Sequence, residues 1–138
     1  MYDRVVAVPR LVVTSGWKGR PPVLNAMADA LGTHYGRIVP ACTANLYRDG
    51  RDSVAWHGDR IGRTSGDTIV AIVSLGAPRK FRRRPDGGCP AGGDELRSGD
   101  LLVLGGTCQH TWEHCVPKRV NAGPRISASP ATVRTRSP

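Results

Sequence analysis

At 138 residues with a formal net charge of +9, the chain is the size of one domain and carries a surplus of Lys and Arg suited to a polyanionic partner such as nucleic acid. Aromatic residues make up only 5% of it, whereas 17 Gly and 11 Pro favour short strands and turns over long helices. No apolar run approaches the roughly 20 residues of a membrane span, no signal-peptide pattern opens the sequence, and the four cysteines lack Cys-x-x-Cys spacing. A cytoplasmic monomer with no membrane association is expected, with Cys42, Cys89, Cys108 and Cys115 as free thiols.

Met1 to Thr14 is rich in Val and Leu but broken by Pro9, which fits an edge strand or extended arm. After a Gly/Pro/basic loop, Val23, Leu24, Ala26, Met27, Ala30 and Leu31 recur at helical spacing, with Pro21-Pro22 at the start and Gly32 at the end. Met27 is read as a core residue. From Arg37 the pattern turns to strands: 38–47, 53–57, 68–75, 101–104 and 110–116, separated by turn residues. Asp49-Gly50 reads as a hairpin turn between the first two. Arg79-Lys80-Phe81-Arg82-Arg83-Arg84 is the densest basic run, either a solvated strand face or a phosphate-contacting surface. Residues 85–99 read as a Gly-rich loop, and 127–138, rich in Pro, Ser and Thr, as an irregular or disordered tail. Short strands without intervening helices predict one mainly β domain over 1–138, an antiparallel sandwich or barrel with one helix outside it.

Chemistry concentrates in the stretch 45–59, NLYRDGRDSVAWHGD. Residues two apart in a strand share a face, so His57 and Asp59 can offer an imidazole and a carboxylate to one point. His114 is the candidate third ligand, completing a 2-His-1-carboxylate set of the kind that holds non-haem Fe(II). Three protein ligands leave coordination positions open on the metal for exogenous ligands. Trp56 and Trp112 are read as core-packing residues turned away from the neighbouring histidines. A rival metal reading is a zinc site in Cys108-x-His110-x-x-x-His114-Cys115, although His114 and Cys115 would point to opposite faces of a strand and no partner cysteine pair exists.

In order, Asn-x-Tyr, a turn, His-x-Asp, a later His and an Arg beyond it occur here as Asn45, Tyr47, His57, Asp59, His114 and Arg125. With the stretches AIVSLGAPRKFRRR, SGDLLVLGGTCQHTWEHCVPK and GPRIS, this set resembles the AlkB-like Fe(II)/2-oxoglutarate dioxygenases, over roughly residues 1 to 127. The resemblance implies a double-stranded β-helix, a jelly-roll-like, cupin-type barrel. It also implies Fe(II) with 2-oxoglutarate and O2 as co-substrates, and oxidative demethylation of alkylated bases in DNA or RNA as a direct-reversal repair activity. His57, Asp59 and His114 would be catalytic iron ligands. Asn45 and Tyr47 would hydrogen-bond 2-oxoglutarate, and Arg125 would clamp one of its carboxylates. The target base would be presented in a single strand or flipped from a duplex.

Two departures accompany this resemblance. Family members place a second arginine six residues after the first, where this chain has Ala131, and Pro130 is expected to interrupt a central strand. Fewer residues also precede the first strands than the family carries. Together they support the alternative of a shortened, catalytically impaired relative that still binds nucleic acid but has lost the co-substrate site. Arg134 or Arg136 could substitute for the second arginine.

Overall fold

The computed structural model describes residues 10–13, 21–58, 69–89, 92–105 and 108–133. Among the described residues, nine strands form two antiparallel sheets. The first contains β1 (Leu11–Val13), β2 (Ile38–Tyr47), β9 (Arg125–Val133), β4 (Val70–Gly76) and β7 (Leu101–Leu104), in that spatial order. The second runs β3 (Val54–His57), β8 (Trp112–Val116), β5 (Arg79–Pro85) and β6 (Gly92–Leu96). Tyr47, Val70, Ile72 and Leu104 from one sheet meet Phe81, Leu96 and Val116 from the other in the main core. Each fully buried aliphatic side chain of this kind contributes about 1.5–3 kcal/mol.

Alternation along β2 assigns its two faces different work. Tyr47 enters the core between the sheets, whereas Cys42 turns outward to meet helix α1 (Pro22–Tyr35). Leu24 and Met27 of that helix pack on Cys42, Val73 and Ala128, so Met27 fills a core gap as expected. The expected stop at Gly32 is passed. The helix ends at Gly36, whose φ of 64° and ψ of 40° form a left-handed cap. Gly32 instead admits a close approach: a Cβ there would lie 2.6 Å from the Arg37 carbonyl oxygen. Among the described residues no helix is long and apolar enough to cross a membrane.

Three local expectations change. Residues 127–133 are not an irregular tail but most of β9, a central strand hydrogen-bonded to β2 on one side and β4 on the other. Its small residues fit what lies on each face: Ala128 sits beneath α1, while Ser127 and Ser129 border a cavity between the sheets. Pro130 pairs with Cys42 of β2, but on the β4 side the register passes from Val73↔Ala128 to Val70↔Ala131 with no pair at Pro130, and there its missing N–H is tolerated. Residues 134–138, including Arg134 and Arg136, lie outside the described residues. Within the expected 85–99 loop, Gly92–Leu96 forms β6 against β5, with Lys80 opposite Glu95 and Phe81 opposite Asp94.

Asp49-Gly50 does not close a hairpin, since β2 and β3 belong to different sheets. The turn instead carries the chain from one sheet to the other. Gly50 lies so close to the β8–β9 connection that an added Cβ would be 1.6 Å from the Arg119 carbonyl oxygen, and the Arg119 amide donates to the Gly50 carbonyl at 2.8 Å. That crossing sets Asn45 and Tyr47 on one wall and His57 on the other.

Candidate active site

A cavity of about 240 Å³ opens between the sheets, and Asn45, Tyr47, His57, His114 and Arg125 all line it. His57 and His114 occupy directly opposed positions on β3 and β8, with ring centroids 4.3 Å apart and planes inclined at 63°. His114 is buried and stacks on Phe81 at 5.0 Å and 22°. His57 Nδ1 lies 2.8 Å from the Ala55 carbonyl oxygen. A carbonyl can only accept, so neutral His57 carries its proton on Nδ1 and its lone pair on Nε2, a tautomer suited to metal ligation through Nε2. Asp59, the expected carboxylate ligand, lies outside the described residues.

On the facing wall, Arg125 is 2% exposed and stands opposite Tyr47 across the β2–β9 ladder. Its Nη2 donates to Ser74 Oγ at 2.9 Å, and its Cζ lies 5.0 Å from the Tyr47 ring centroid. Nε and Nη1 are buried and have no hydrogen-bond partner among the described residues. Burial holds the Arg125 pKa below its ordinary value, partly offset by Tyr47, although a guanidinium stays charged at any physiological pH. Burial likewise pushes the Tyr47 phenol up, opposed by the charges of Arg125, Arg10 and Arg79. Tyr47 is therefore a neutral phenol hydrogen-bonded to a fork that is only partly satisfied, and an anion with planar oxygens is the ligand that would complete it. Two imidazoles facing that fork fit Fe(II) with a chelating 2-oxo acid.

Alternation along the strands also brings in residues not singled out in the sequence. Thr43 shares a face of β2 with Asn45 and Tyr47, and Ser127 and Ser129 share a face of β9 with Arg125. Arg10, just before β1, enters the same cavity and donates from Nε to Asn45 Oδ1 at 3.0 Å. A period-2 reading could have found the hydroxyl residues. Arg10 gives no such signal, because its place depends on how β1 pairs with β2.

The basic run divides. Arg79 is fully buried and donates to the carbonyl oxygens of Asp49, Asp52 and Pro117, so it cannot grip phosphate. Lys80 and Arg82 are exposed, Arg83 pairs with Asp94, and Arg84 pairs with Glu113. Neither Trp56 nor Trp112 belongs to the apolar core. Trp56 is half-buried on the outer face, with Arg84 Cζ 4.3 Å from its ring centroid. Trp112, two residues from His114, shares that residue's strand face but lies at the end of the sheet opposite Pro85 and is 38% exposed. The zinc alternative includes His110, whose side chain lies outside what the structure describes, and the described residues hold no group of three or more His, Cys, Asp or Glu side chains able to bind a metal. Burial pushes the Cys115 thiol up, away from the thiolate that zinc needs.

A family model described as the 2OG-Fe(II) oxygenase superfamily matches residues 8–135. The chain belongs to that superfamily. Membership implies Fe(II), 2-oxoglutarate and dioxygen as its co-reactants. Among curated proteins, it is 32% identical over 122 residues to human "Alpha-ketoglutarate-dependent dioxygenase alkB homolog 3", covering 81% of this chain and 43% of that protein. To the Arabidopsis thaliana "DNA oxidative demethylase ALKBH2" it is 30% identical, covering 80% of this chain and 43% of the relative. The chain thus spans less than half the length of these relatives. Its fold resembles AviO1 from Streptomyces viridochromogenes, at a TM-score of 0.63 and 16% identity over 92% of this chain and 68% of that one. It also resembles OsALKBH1, at a TM-score of 0.56 and 17% identity over 83% and 60% of the two chains. The two-sheet architecture is accordingly the double-stranded β-helix of this superfamily, with α1 packed outside it.

Proposed function

We propose that this 2OG-Fe(II) oxygenase domain carries out oxidative demethylation of alkylated bases in nucleic acid, with direct reversal of DNA alkylation as its role. The carrying observation is the cavity itself, where His57 and His114 face the partly unsatisfied guanidinium of Arg125. His57, His114 and Asp59 would hold iron, and Asn45, Tyr47 and Arg125 would bind 2-oxoglutarate. When bound, the pair supplies dioxygen activation coupled to oxidative decarboxylation of the 2-oxo acid. Arg125 and Tyr47 orient the co-substrate by charge-assisted and phenolic hydrogen bonds, and the Ala55 carbonyl keeps the His57 lone pair on Nε2. The apolar wall of Val54, Val70, Ile72, Phe81 and Val116 limits water. An alkylated base reaches such a buried site from a single strand or by flipping, and exposed Lys80 and Arg82 are candidates for phosphate contact.

The test begins without oxygen, with Fe(II) and 2-oxoglutarate added to the protein and the metal-to-ligand charge-transfer absorption recorded. Oxygen and methylated single-stranded DNA are then admitted and formaldehyde is measured. Both signals are expected, and His57→Ala should remove both. Formaldehyde release that survives in His57→Ala would overturn the ligand assignment. The second reading, an impaired nucleic-acid binder, rests on the alanine at position 131. It predicts oligonucleotide binding that weakens steeply with salt, with no absorption band and no formaldehyde.

A further inference from the structure

The cavity holds a second guanidinium. We infer that Arg10 is a direct ligand for a carboxylate of the 2-oxo dicarboxylic acid, acting across Tyr47 from Arg125. The inference rests on the co-substrate reading above and adds a residue to it.

Register sets the two arginines on opposite sides of one strand. Leu11 pairs with Leu46 and Val12 with Asn45 across the β1–β2 ladder, while Tyr47 pairs with Arg125 across β2–β9. Arg10, immediately before Leu11, therefore reaches the inner face of β2 from the β1 side, and Arg125 reaches it from the β9 side. The Arg10 Nε–H···Oδ1 bond to Asn45, at 3.0 Å, fixes both partners. It leaves the Asn45 amide N–H groups and the terminal nitrogens of Arg10 as the donors that a carboxylate would take. Arg10 is also close enough for its charge to act on the Tyr47 phenol.

Charge balance points the same way. Among the described residues lining the cavity none is Asp or Glu, so no described carboxylate meets either guanidinium there. Two cationic forks about one cavity match a ligand with two carboxylates better than one with a single carboxylate. Position 131, on the far end of β9 opposite Ala41, is alanine and supplies no charge. Arg10 enters from the other side of β2, by a different strand, and meets the need for a second cation without it.

The competing explanation is that Arg10 only orients Asn45. Anaerobic calorimetric titration of the Fe(II)-loaded protein with 2-oxoglutarate separates the two, using Arg10→Ala, Arg10→Lys, Asn45→Ala and the Arg10→Ala/Asn45→Ala double variant. Thermal midpoints serve as the folding control. Arg10→Ala should weaken binding about tenfold or more, the loss of one charge-assisted contact. Arg10→Lys should recover part of that loss. Removing Arg10 from the Asn45→Ala background should weaken binding again by at least about fivefold. A double variant no weaker than Asn45→Ala would make Arg10 a positioning residue and overturn the inference, as would Arg10→Ala that binds like the parent. Parent protein that binds no 2-oxoglutarate would overturn the co-substrate reading and this inference together, an outcome distinct from an indifferent Arg10→Ala.

Discussion

Arg79 and Arg125 are both buried and both near the Tyr47 ring, with Cζ at 5.4 Å and 5.0 Å from its centroid. Their hydrogen bonds differ. Arg79 binds the carbonyl oxygens of Asp49, Asp52 and Pro117, clamping the β2–β3 turn to the β8–β9 connection, and only its Nε lacks a partner. Arg125 has Ser74 on Nη2 and a side-chain hydrogen bond with Tyr47, but among the described residues its Nε and Nη1 are left without a full acceptor set. A buried cation is costly unless acceptors surround it. At Arg79 the backbone supplies them, and the residue holds the fold. At Arg125 the fold supplies too few, which is how a site waiting for an anionic ligand differs from a structural clamp.

Substituting methionine at each position should therefore give opposite results. Arg79→Met takes the donor from three main-chain carbonyls, that of Asp52 in a buried bond, and frees the turn that carries the chain between the sheets. It should lower stability by about 3–5 kcal/mol, read as a shifted urea midpoint. A variant as stable as the parent would end the distinction. Arg125→Met removes an unsatisfied charge and one bond to Ser74, so its stability should stay within about 1 kcal/mol of the parent. Its affinity for 2-oxoglutarate should nonetheless fall about 100-fold, or about 2.7 kcal/mol, measured by the same anaerobic titration. A loss of several kcal/mol in stability instead would place Arg125 among the structural residues.

Much of this arrangement was legible in the sequence, because strand periodicity and a short ordered motif carry it. The 38–47 and 101–104 strands, the outer helix and the set Asn45, Tyr47, His57, His114 and Arg125 follow from alternation and resemblance, and one cavity gathers all five. What escaped depends on partners distant in sequence. Strand β9 looked like a tail because Ser127, Ala128, Ser129 and Pro130 have weak strand propensity. Its neighbours β2 and β4 supply the pairing, and a helix on one face leaves room only for small residues. Arg79 began a run of similar charges and could not be told from Lys80 without the carbonyls that surround it. The turn at Asp49-Gly50 carried a hairpin signal that the Arg79 clamp and the Arg119 contact override.

The same clamp yields the smallest expected effect, through Asp52. Its carboxylate accepts from the Arg48 side chain and from the Arg48 amide, each at 2.8 Å, and those bonds hold its pKa down to about 2. In the unfolded chain an aspartate titrates near about 3.9. Because the folded value is the lower one, this group's contribution is complete above about pH 4. It is lost progressively as pH falls toward 2 and the folded carboxylate takes up its proton. Asp52→Asn should flatten the acid limb of the stability profile between those values while lowering stability at neutral pH. The decrease should be smaller than in Arg79→Met, because the Asp52 main-chain carbonyl that Arg79 grips is retained. Urea midpoints collected from pH 2.5 to 7 would check both points. An Asp52→Asn profile parallel to the parent's would remove Asp52 from the clamp and leave Arg79 holding the turn through main-chain oxygens alone.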